Sequence, residues 1–169
     1  MVGVILGDVI GSVYEFWPYK SKDFELFKAR GRHVCYCTDD SMMTLAVADA
    51  FLNCKEDFSD LPERTVESMQ RIGKDHPDAG YGGNFNHWLY SKPIPYNSFG
   101  NGSAMRVSSA GWLYDTLEET LQKAKWSAEV THNHPEGIKG AEATASAIFM
   151  ARNHASKEEI RDYIVSEFG

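Results

Sequence analysis

The sequence predicts an all-α protein folded as a single compact domain, and three observations support this fold class. Helix-capping patterns recur, apolar residues recur at helical spacing, and no segment shows the apolar–polar alternation typical of a strand. The 169 residues, 43% of them hydrophobic, suffice for one domain with a buried core. No repeat, low-complexity tract or linker divides the chain, so we expect one domain over residues 1–169.

Two predicted helices occupy the first third of the chain. The first covers residues 2–15, an almost wholly apolar stretch in which glycines recur every four residues. After a loop-like segment, residues 16–37, Thr38 fits the N-cap of a second helix that ends near Asn53. Two acids in the first turn of this helix complement its dipole.

The remaining helices are bounded by prolines, glycines and capping residues. They are predicted over residues 62–73, 84–91, 103–114, 117–131, 135–153 and 157–168. Capping boxes are expected where Thr116 precedes Glu119 and where Ser156 precedes Glu159.

Acidic residues form two clusters beside apolar sequence. Asp8 and Glu15 are seven residues apart, about two helical turns, so one helix would place them on the same face. Thr38, Asp39 and Asp40 adjoin the second apolar stretch. Carboxylates are rarely buried unless they are paired or bound to a metal. Carboxylate and hydroxyl oxygens suit magnesium or manganese better than zinc, so the pattern favours a hard-cation site.

Each acidic cluster also has an ordinary structural explanation. Adjacent positions inside a helix point about 100° apart, so Thr38, Asp39 and Asp40 can converge on one ion only at the irregular start of a helix. The same three residues would serve equally well as a solvated N-cap with acids that complement the dipole. Glu15 would equally suit the end of a helix in solvent.

A glycine-rich loop runs into a predicted helix in the middle of the chain. It consists of Ser98, Phe99, Gly100, Asn101 and Gly102. Backbone amides and small residues at such a point can hold a phosphate group. An Asn-Gly pair is also an ordinary turn, and the loop matches neither the P-loop nor the dinucleotide fingerprint.

Two histidines lie where one predicted helix ends and the next begins. His132 could donate a hydrogen bond to a ribose hydroxyl or a phosphate. His132 and His134 could instead simply cap the turn. Ser103 lacks the surroundings of a hydrolase nucleophile, so we do not expect Ser–His chemistry.

Composition excludes several classes of protein. The net charge of −7 and the lack of a basic stripe argue against nucleic-acid binding. No apolar run approaches the ~18 residues of a membrane span, and no basic segment at the start indicates a signal peptide. Cys35, Cys37 and Cys54 form neither a disulfide framework nor a zinc pattern, which predicts reduced thiols in a cytoplasmic protein.

Four motifs in order resemble the ADP-ribosylglycohydrolase family, which includes the dinitrogenase reductase-activating glycohydrolases and the ADP-ribosyl-acceptor hydrolases. They are Gly-Asp-x-x-Gly-x-x-x-Glu (7–15), Thr-Asp-Asp (38–40), Gly-Asn-Gly-Ser-Ala-Met-Arg (100–106) and Thr-His-x-His-Pro-Glu-Gly (131–137). The resemblance extends from residue 3 to about residue 150. It implies an all-helical fold with a two-magnesium site, sometimes manganese, at the bottom of an ADP-ribose cleft.

The resemblance also implies roles for individual acids. Thr38, Asp39 and Asp40 would be metal ligands, and Glu15 would lie at the edge of the metal site. Glu15, Asp39 and Asp40 are the catalytic candidates, with Glu15 positioning or deprotonating the attacking water and the two aspartates acting through the metal.

The substrate-binding residues implied by the resemblance come from all parts of the chain. The 98–102 loop would hold the diphosphate and adjacent ribose, and His132 would contact the ADP-ribose. Asp8 belongs to the same set, and Phe99 or Tyr96 would flank the cleft.

The chain departs from the family pattern in one respect. A later Asp-x-Asp-Thr/Ser motif completes the two-metal site in the family, whereas here Asp162 is a lone acid on a charged helix face. We therefore expect an N-terminal portion of the fold that is C-terminally incomplete, with a retained cleft and weak or absent activity of its own. An uncovered apolar face would favour self-association or a complementing chain.

The implied reaction is metal-dependent hydrolysis of the bond between ribose C1 and an acceptor in an ADP-ribosylated protein or small molecule. The reaction would pass through an oxocarbenium-like centre. A non-catalytic ADP-ribose or nucleotide-binding module is an alternative, as is a structural relative comparable to the family's lens crystallins. Retention of Glu15, Thr38, Asp39 and Asp40 favours the enzyme lineage.

Overall fold

Helices make up all the regular structure of the described residues, which confirms the all-α prediction. The computed structural model describes residues 2–15, 19–28 and 34–169. The helices are α1 (Val2–Gly11), α2 (Asp39–Asn53), α3 (Leu61–Asp75), α4 (Gly83–Tyr90), α5 (Gly102–Met105), α6 (Ser108–Leu113), α7 (Leu117–Glu129), α8 (Pro135–Arg152) and α9 (Lys157–Phe168).

The core lies between two groups of helices. α2 packs along α3, while α8 contacts α5, α6, α7 and α9. On α2 the fully buried Met43, Val47 and Ala50 recur at helical spacing, which gives this helix one apolar face. This packing fixes α2, whose first turn carries the predicted acidic residues.

The first predicted helix is shorter than expected. α1 ends at Gly11, and residues 12–15 form a turn in which the Tyr14 amide donates to the Gly11 carbonyl at 2.8 Å. Ser12 ties this turn to the returning chain, since its hydroxyl donates to Val9 O at 2.9 Å and accepts from the Tyr36 amide at 3.1 Å. The prediction that Glu15 shares a helix face with the acid two turns earlier is therefore wrong.

The predicted helix over residues 103–114 is divided into α5 and α6. Arg106 and Val107 join them, and both side chains are buried. Arg106 turns into the interior to reach the Ser127 carbonyl and the Thr131 hydroxyl, contacts that local sequence patterns do not reveal. The other helix ends lie within two residues of their predicted positions.

The capping predictions are confirmed in full at one helix and in part at another. Ser156 and Glu159 form a complete capping box at the start of α9. At α7, Thr116 accepts from the Glu119 amide at 3.2 Å, and its hydroxyl donates to the Glu119 carboxylate at 2.7 Å.

The cysteines and the helix lengths bear on two further predictions from composition. Cys35, Cys37 and Cys54 are all free, so no disulfide framework is present. Within the described ranges, none of the helices has the length and apolar character needed to cross a bilayer. The segments at 19–28 and 34–38 contain no helix or strand, in agreement with the predicted loop, while 16–18 and 29–33 lie outside the described residues.

Candidate functional site

Asp8 joins the first two sequence motifs. Its Oδ1 accepts from the Thr38 hydroxyl at 2.5 Å, and its Oδ2 accepts from the Thr38 amide at 2.8 Å. Oδ2 also accepts from the Ser41 amide at 3.1 Å and from the Ser41 hydroxyl. The Asp8 carboxylate thus fixes the first turn of α2. Asp8 does not line the cleft described below, but supports the acidic cluster formed by Glu15, Asp39 and Asp40.

The acids around this turn repel one another. Burial, then the charges of Asp40 and Glu15, raise the pKa of Asp39 to about 6. Burial and the charge of Asp8 raise the pKa of Asp40, and burial, Asp40 and Asp8 raise the pKa of Glu15. Among the described residues no lysine or arginine forms an ion pair with Glu15, Asp39 or Asp40. The cluster therefore carries unbalanced negative charge.

The donor chemistry of this cluster fits a hard cation. Thr38 donates its hydroxyl proton to Asp8 and accepts from the Asp40 amide at 3.3 Å, which leaves one oxygen lone pair free. Thr38 is also the N-cap of α2, so its predicted structural role is confirmed. Within the described ranges, no three His, Cys, Asp or Glu side chains lie close enough together to hold a metal ion without adjustment.

The 98–102 loop is anchored to the turn between α7 and α8. The amides of Tyr96 and Ser98 both donate to the Thr131 carbonyl at 3.4 Å. The Asn97 amide donates to Asn133 Oδ1 at 2.7 Å, and Asn97 has a φ of 54°. These bonds bring the third and fourth sequence motifs together.

His132 is enclosed by two glycines. A Cβ on Gly102 would lie 3.0 Å from His132 Cε1 and 3.1 Å from Nε2. A Cβ on Gly137 would lie 3.0 Å from His132 Cβ and only 2.6 Å from the Ser98 carbonyl oxygen. The Ser98 carbonyl oxygen therefore excludes a side chain at Gly137, whereas one at Gly102 would require His132 to shift by a few tenths of an ångström.

A cleft of about 250 Å³ lies where these parts meet. Asp39 contributes to it from α2, and His132 contributes from the turn before α8. Of the remaining predicted site residues, four from the loop also line it: Ser98, Gly100, Asn101 and Gly102.

The cleft has further lining residues that the sequence analysis did not select. They are Met43, Gly82, Gly83, Asn84, Phe85, Met105 and Arg106. Gly82 is the N-cap of α4 and Gly83 is its first residue, and neither carries a chemical signature that local sequence patterns could reveal. Tyr96 also lines the cleft, as one of the two aromatic residues expected to flank it.

Other predicted residues lie outside the cleft lining. Thr38 is 2% exposed, and Glu15 is exposed in the turn after α1. Phe99 is 73% exposed and packs its ring 5.3 Å from that of His134. His134 is the N-cap of α8 and accepts from the Glu136 amide at 3.1 Å, so the capping explanation holds for this histidine.

Arg106 is a buried cation at the cleft. Its side chain is 1% exposed, and its Nη2 donates to the Ser127 carbonyl at 3.2 Å and to the Thr131 hydroxyl at 2.8 Å. Its Nε has no acceptor among the described residues. Burial lowers the pKa of the guanidinium to about 10, so it remains charged at neutral pH.

Comparison with known proteins shows similarity along nearly the whole chain. The profile of the ADP-ribosylglycohydrolase family matches residues 1–168. The chain is 30% identical to the ADP-ribosylhydrolase ARH3 of Mus musculus, with 94% of this chain and 50% of the relative covered. It is 30% identical to ADP-ribosylhydrolase ARH3 of Bos taurus and 29% identical to that of Homo sapiens, with the same coverage.

The chain spans about half the length of these curated relatives. The family match covers all four motifs, the helices that carry them and the cleft between them. This protein belongs to the ADP-ribosylglycohydrolase family.

Proposed function

We propose that this chain binds ADP-ribose in the cleft and forms part of a hydrolase that removes ADP-ribose from an ADP-ribosylated protein or small molecule. The observation that carries the proposal is the convergence of the 98–102 loop, His132 and Asp39 on one cleft. Family membership and the similarity to ADP-ribosylhydrolases support the same reaction.

The two ends of the cleft suit different parts of this ligand. The 98–102 loop, with His132 beside it and the Arg106 charge behind it, suits the diphosphate. Asp39 brings negative charge to the cleft. Its carboxylate, beside Asp40, suits the ribose that carries the bond to be cleaved. With hydrogen-bond donors at the loop and negative charge at Asp39, the cleft would bind ADP-ribose with its reacting ribose toward the acids.

Magnesium, or manganese, is the cation we propose for the acidic cluster, held by Thr38, Asp39, Asp40 and Glu15. The unpaired negative charge and the all-oxygen donor set support this assignment. When bound, the ion would hold the sugar hydroxyls and lower the pKa of a water molecule.

Glu15 is the residue that we propose to orient or deprotonate the attacking water. It is exposed at the edge of the cluster, where water can reach it. Partial desolvation and the charges of Asp40 and Asp8 raise its pKa, which makes its carboxylate a better proton acceptor. The reaction would form a bond from water oxygen to ribose C1, break the bond from C1 to the acceptor, and return a proton to the acceptor.

A non-catalytic ADP-ribose-binding module is the second candidate. Two observations favour it: Asp39 is the one member of the acidic cluster that lines the cleft, and no three potential metal ligands in the described ranges are close enough to hold an ion. Such a module would bind through the loop and His132 without needing the acids.

Calorimetric titration of ADP-ribose separates the two candidates. We expect binding in magnesium that weakens at least tenfold in EDTA, and we expect Asp40→Asn to abolish this dependence. Asp78→Asn, a change at an exposed acid outside the cluster, is the matched control. Binding that EDTA leaves unchanged, together with no release of ADP-ribose from an ADP-ribosylated peptide, would support the binding module.

A reducing, cytoplasmic environment is part of the proposal. Its support is the three free thiols of Cys35, Cys37 and Cys54.

A further inference from the structure

Two consecutive contacts among three side chains form a buried hydrogen-bond chain that ends at the cleft. Arg106 Nη2 donates to Thr131 Oγ1 at 2.8 Å, and Thr131 Oγ1 lies 2.8 Å from His132 Nδ1. All three side chains are buried, with exposures of 1%, 0% and 4%. The two hydrogen bonds of the chain are therefore shielded from water.

The direction of each bond in this chain follows from the chemistry of its members. A guanidinium can only donate, so Thr131 Oγ1 accepts from Arg106. The Thr131 hydroxyl then has its own proton to place, and a buried donor without an acceptor costs about 1–3 kcal/mol. Among the described residues, His132 Nδ1 is the one acceptor within reach of that proton.

The tautomer of His132 follows from this direction. Nδ1 accepts from Thr131 and carries no proton. Burial and the neighbouring Arg106 charge lower the pKa of His132 to about 4, so the ring is neutral at physiological pH. A neutral imidazole has one proton, which then resides on Nε2.

The protonated nitrogen lies beside the 98–102 loop. A Cβ on Gly102 would be 3.1 Å from His132 Nε2, and one on Gly100 would be 3.9 Å from it. His132 and both glycines line the cleft. The chain of bonds therefore presents an N–H donor at the part of the cleft assigned to an anion.

We propose that Arg106 and Thr131 are positioning residues that hold His132 as the Nε2–H tautomer, a fixed donor to the diphosphate of a ligand lying against the 98–102 loop. The ligand part of this inference rests on the proposed function. The tautomer part depends only on the chain's own residues.

Arg106 also provides a buried positive charge near the site proposed for the diphosphate. No carboxylate among the described residues forms an ion pair with it, and its Nε is unpaired. A buried charge without a counter-ion is costly, and a diphosphate in the cleft would supply the missing negative charge. The guanidinium thus holds the His132 Nε2–H donor in place through Thr131. Its positive charge also attracts the diphosphate directly.

Nitrogen NMR of the histidine rings in the ligand-free protein tests the tautomer. The His132 signals are assigned by their loss in His132→Gln. We expect a protonated Nε2 and an unprotonated, hydrogen-bonded Nδ1, retained in Thr131→Ser. Thr131→Val removes the donor but keeps the shape, and it should give the mixed, rapidly exchanging tautomers of a free imidazole. A protonated Nδ1 in the unchanged protein, or no effect of the valine, would overturn the inference.

Binding of ADP and adenosine tests the ligand part. We expect Thr131→Val to weaken ADP about twofold, because only part of the imidazole rings then carry the Nε2 proton, and Thr131→Ser to retain the affinity. Adenosine, which lacks the diphosphate, should not distinguish the variants. Equal losses for both ligands would overturn the diphosphate assignment. A confirmed tautomer with no binding of ADP-ribose or ADP would overturn the proposed function and leave the hydrogen-bond chain standing.

Discussion

The Asp8 carboxylate accepts hydrogen bonds from both the amide and the hydroxyl of Thr38, at 2.8 Å and 2.5 Å. Asp8 of α1 thus fixes the N-cap residue of α2. Because the Thr38 hydroxyl proton points to Asp8, the free lone pair of the hydroxyl oxygen points away from Asp8. The same carboxylate raises the pKa of Asp40 by its charge. A structural anchor and the electrostatics of the acidic cluster therefore share one side chain.

Asp8→Asn tests this anchor. Asparagine keeps one oxygen to accept from the Thr38 and Ser41 amides, but it loses the charge that strengthens these bonds and places an N–H donor where Oδ1 accepted from the Thr38 hydroxyl, so we expect the free energy of unfolding to fall by about 2 kcal/mol. Urea denaturation measures the change. Asp78→Asn, at an exposed acid, should leave the free energy unchanged within about 0.5 kcal/mol. An equal effect of both substitutions would contradict the anchoring role.

Folding stability should depend on pH through His132. The pKa of this ring is lowered to about 4 in the folded chain, against an ordinary value of 6.5. Between these pH values the unfolded chain binds a proton at His132 that the folded chain does not. The contribution of His132 to stability is therefore fully present above pH 6.5 and is lost as the pH falls toward 4. The shift corresponds to at most about 3 kcal/mol.

The His132 contribution is isolated by comparing the unchanged protein with His132→Gln across this range. Asp39 has the opposite sign, because its raised pKa of about 6 stabilises the fold below the ordinary value of 3.8 and is lost as the pH rises through 6. Asp39 is present in both proteins, so its contribution cancels in the difference. Parallel stability curves would show that His132 does not titrate as stated.

The fold was largely predictable because most helix ends have local signatures. Thr38 and Ser156 cap their helices through side-chain bonds to amides within three residues, and such bonds can be recognised from spacing alone. The break between α5 and α6 was not predictable, since it depends on the Arg106 side chain reaching Ser127 and Thr131, more than 20 positions along the chain.

Local sequence patterns predicted the candidate site only as separate motifs, and the resemblance to the family was what implied that they share one cleft. Asp39 and the glycine loop were recognised as suited to a cation and an anion, but nothing local indicates that they line the same cleft. Thr131 was a neighbour of a selected histidine and was given no role. Its role is visible only when Arg106 is seen to donate to its hydroxyl.

Gly137→Ala should disrupt the loop anchorage. A Cβ there would lie 2.6 Å from the Ser98 carbonyl oxygen, a backbone atom that can move only with the loop. We expect a loss of about 1–3 kcal/mol in the free energy of unfolding and weaker ADP-ribose binding.

Gly140→Ala is the matched control on the same helix. Its Cβ would meet only Ala104 Cβ, at 3.9 Å, so the substitution should be tolerated and slightly stabilising through helix propensity. Thermal unfolding and calorimetry measure both variants. Equal tolerance of the two alanines would contradict the close packing of α8 on the loop.

Arg106→Met should separate binding from stability. The change removes a buried charge that lacks an ion-pair partner, and it also removes two hydrogen bonds, to Ser127 and Thr131. These effects oppose each other, so we expect the free energy of unfolding to change by less than about 2 kcal/mol. ADP affinity should fall about tenfold while adenosine affinity stays constant. Arg161→Met, at an exposed residue of α9, is the control.

The exposed apolar surface of α1 should promote self-association. None of its residues is buried, and Val2 and Leu6, one helical turn apart, are 72% and 44% exposed. Gly3 between them leaves open space, so another helix can approach closely. We expect sedimentation velocity to show concentration-dependent dimers that Leu6→Ser weakens. Val165→Ser, which removes a more exposed apolar residue from α9 (65% against 44% for Leu6), should leave association unchanged, because the effect depends on the α1 surface and not on apolar exposure in general.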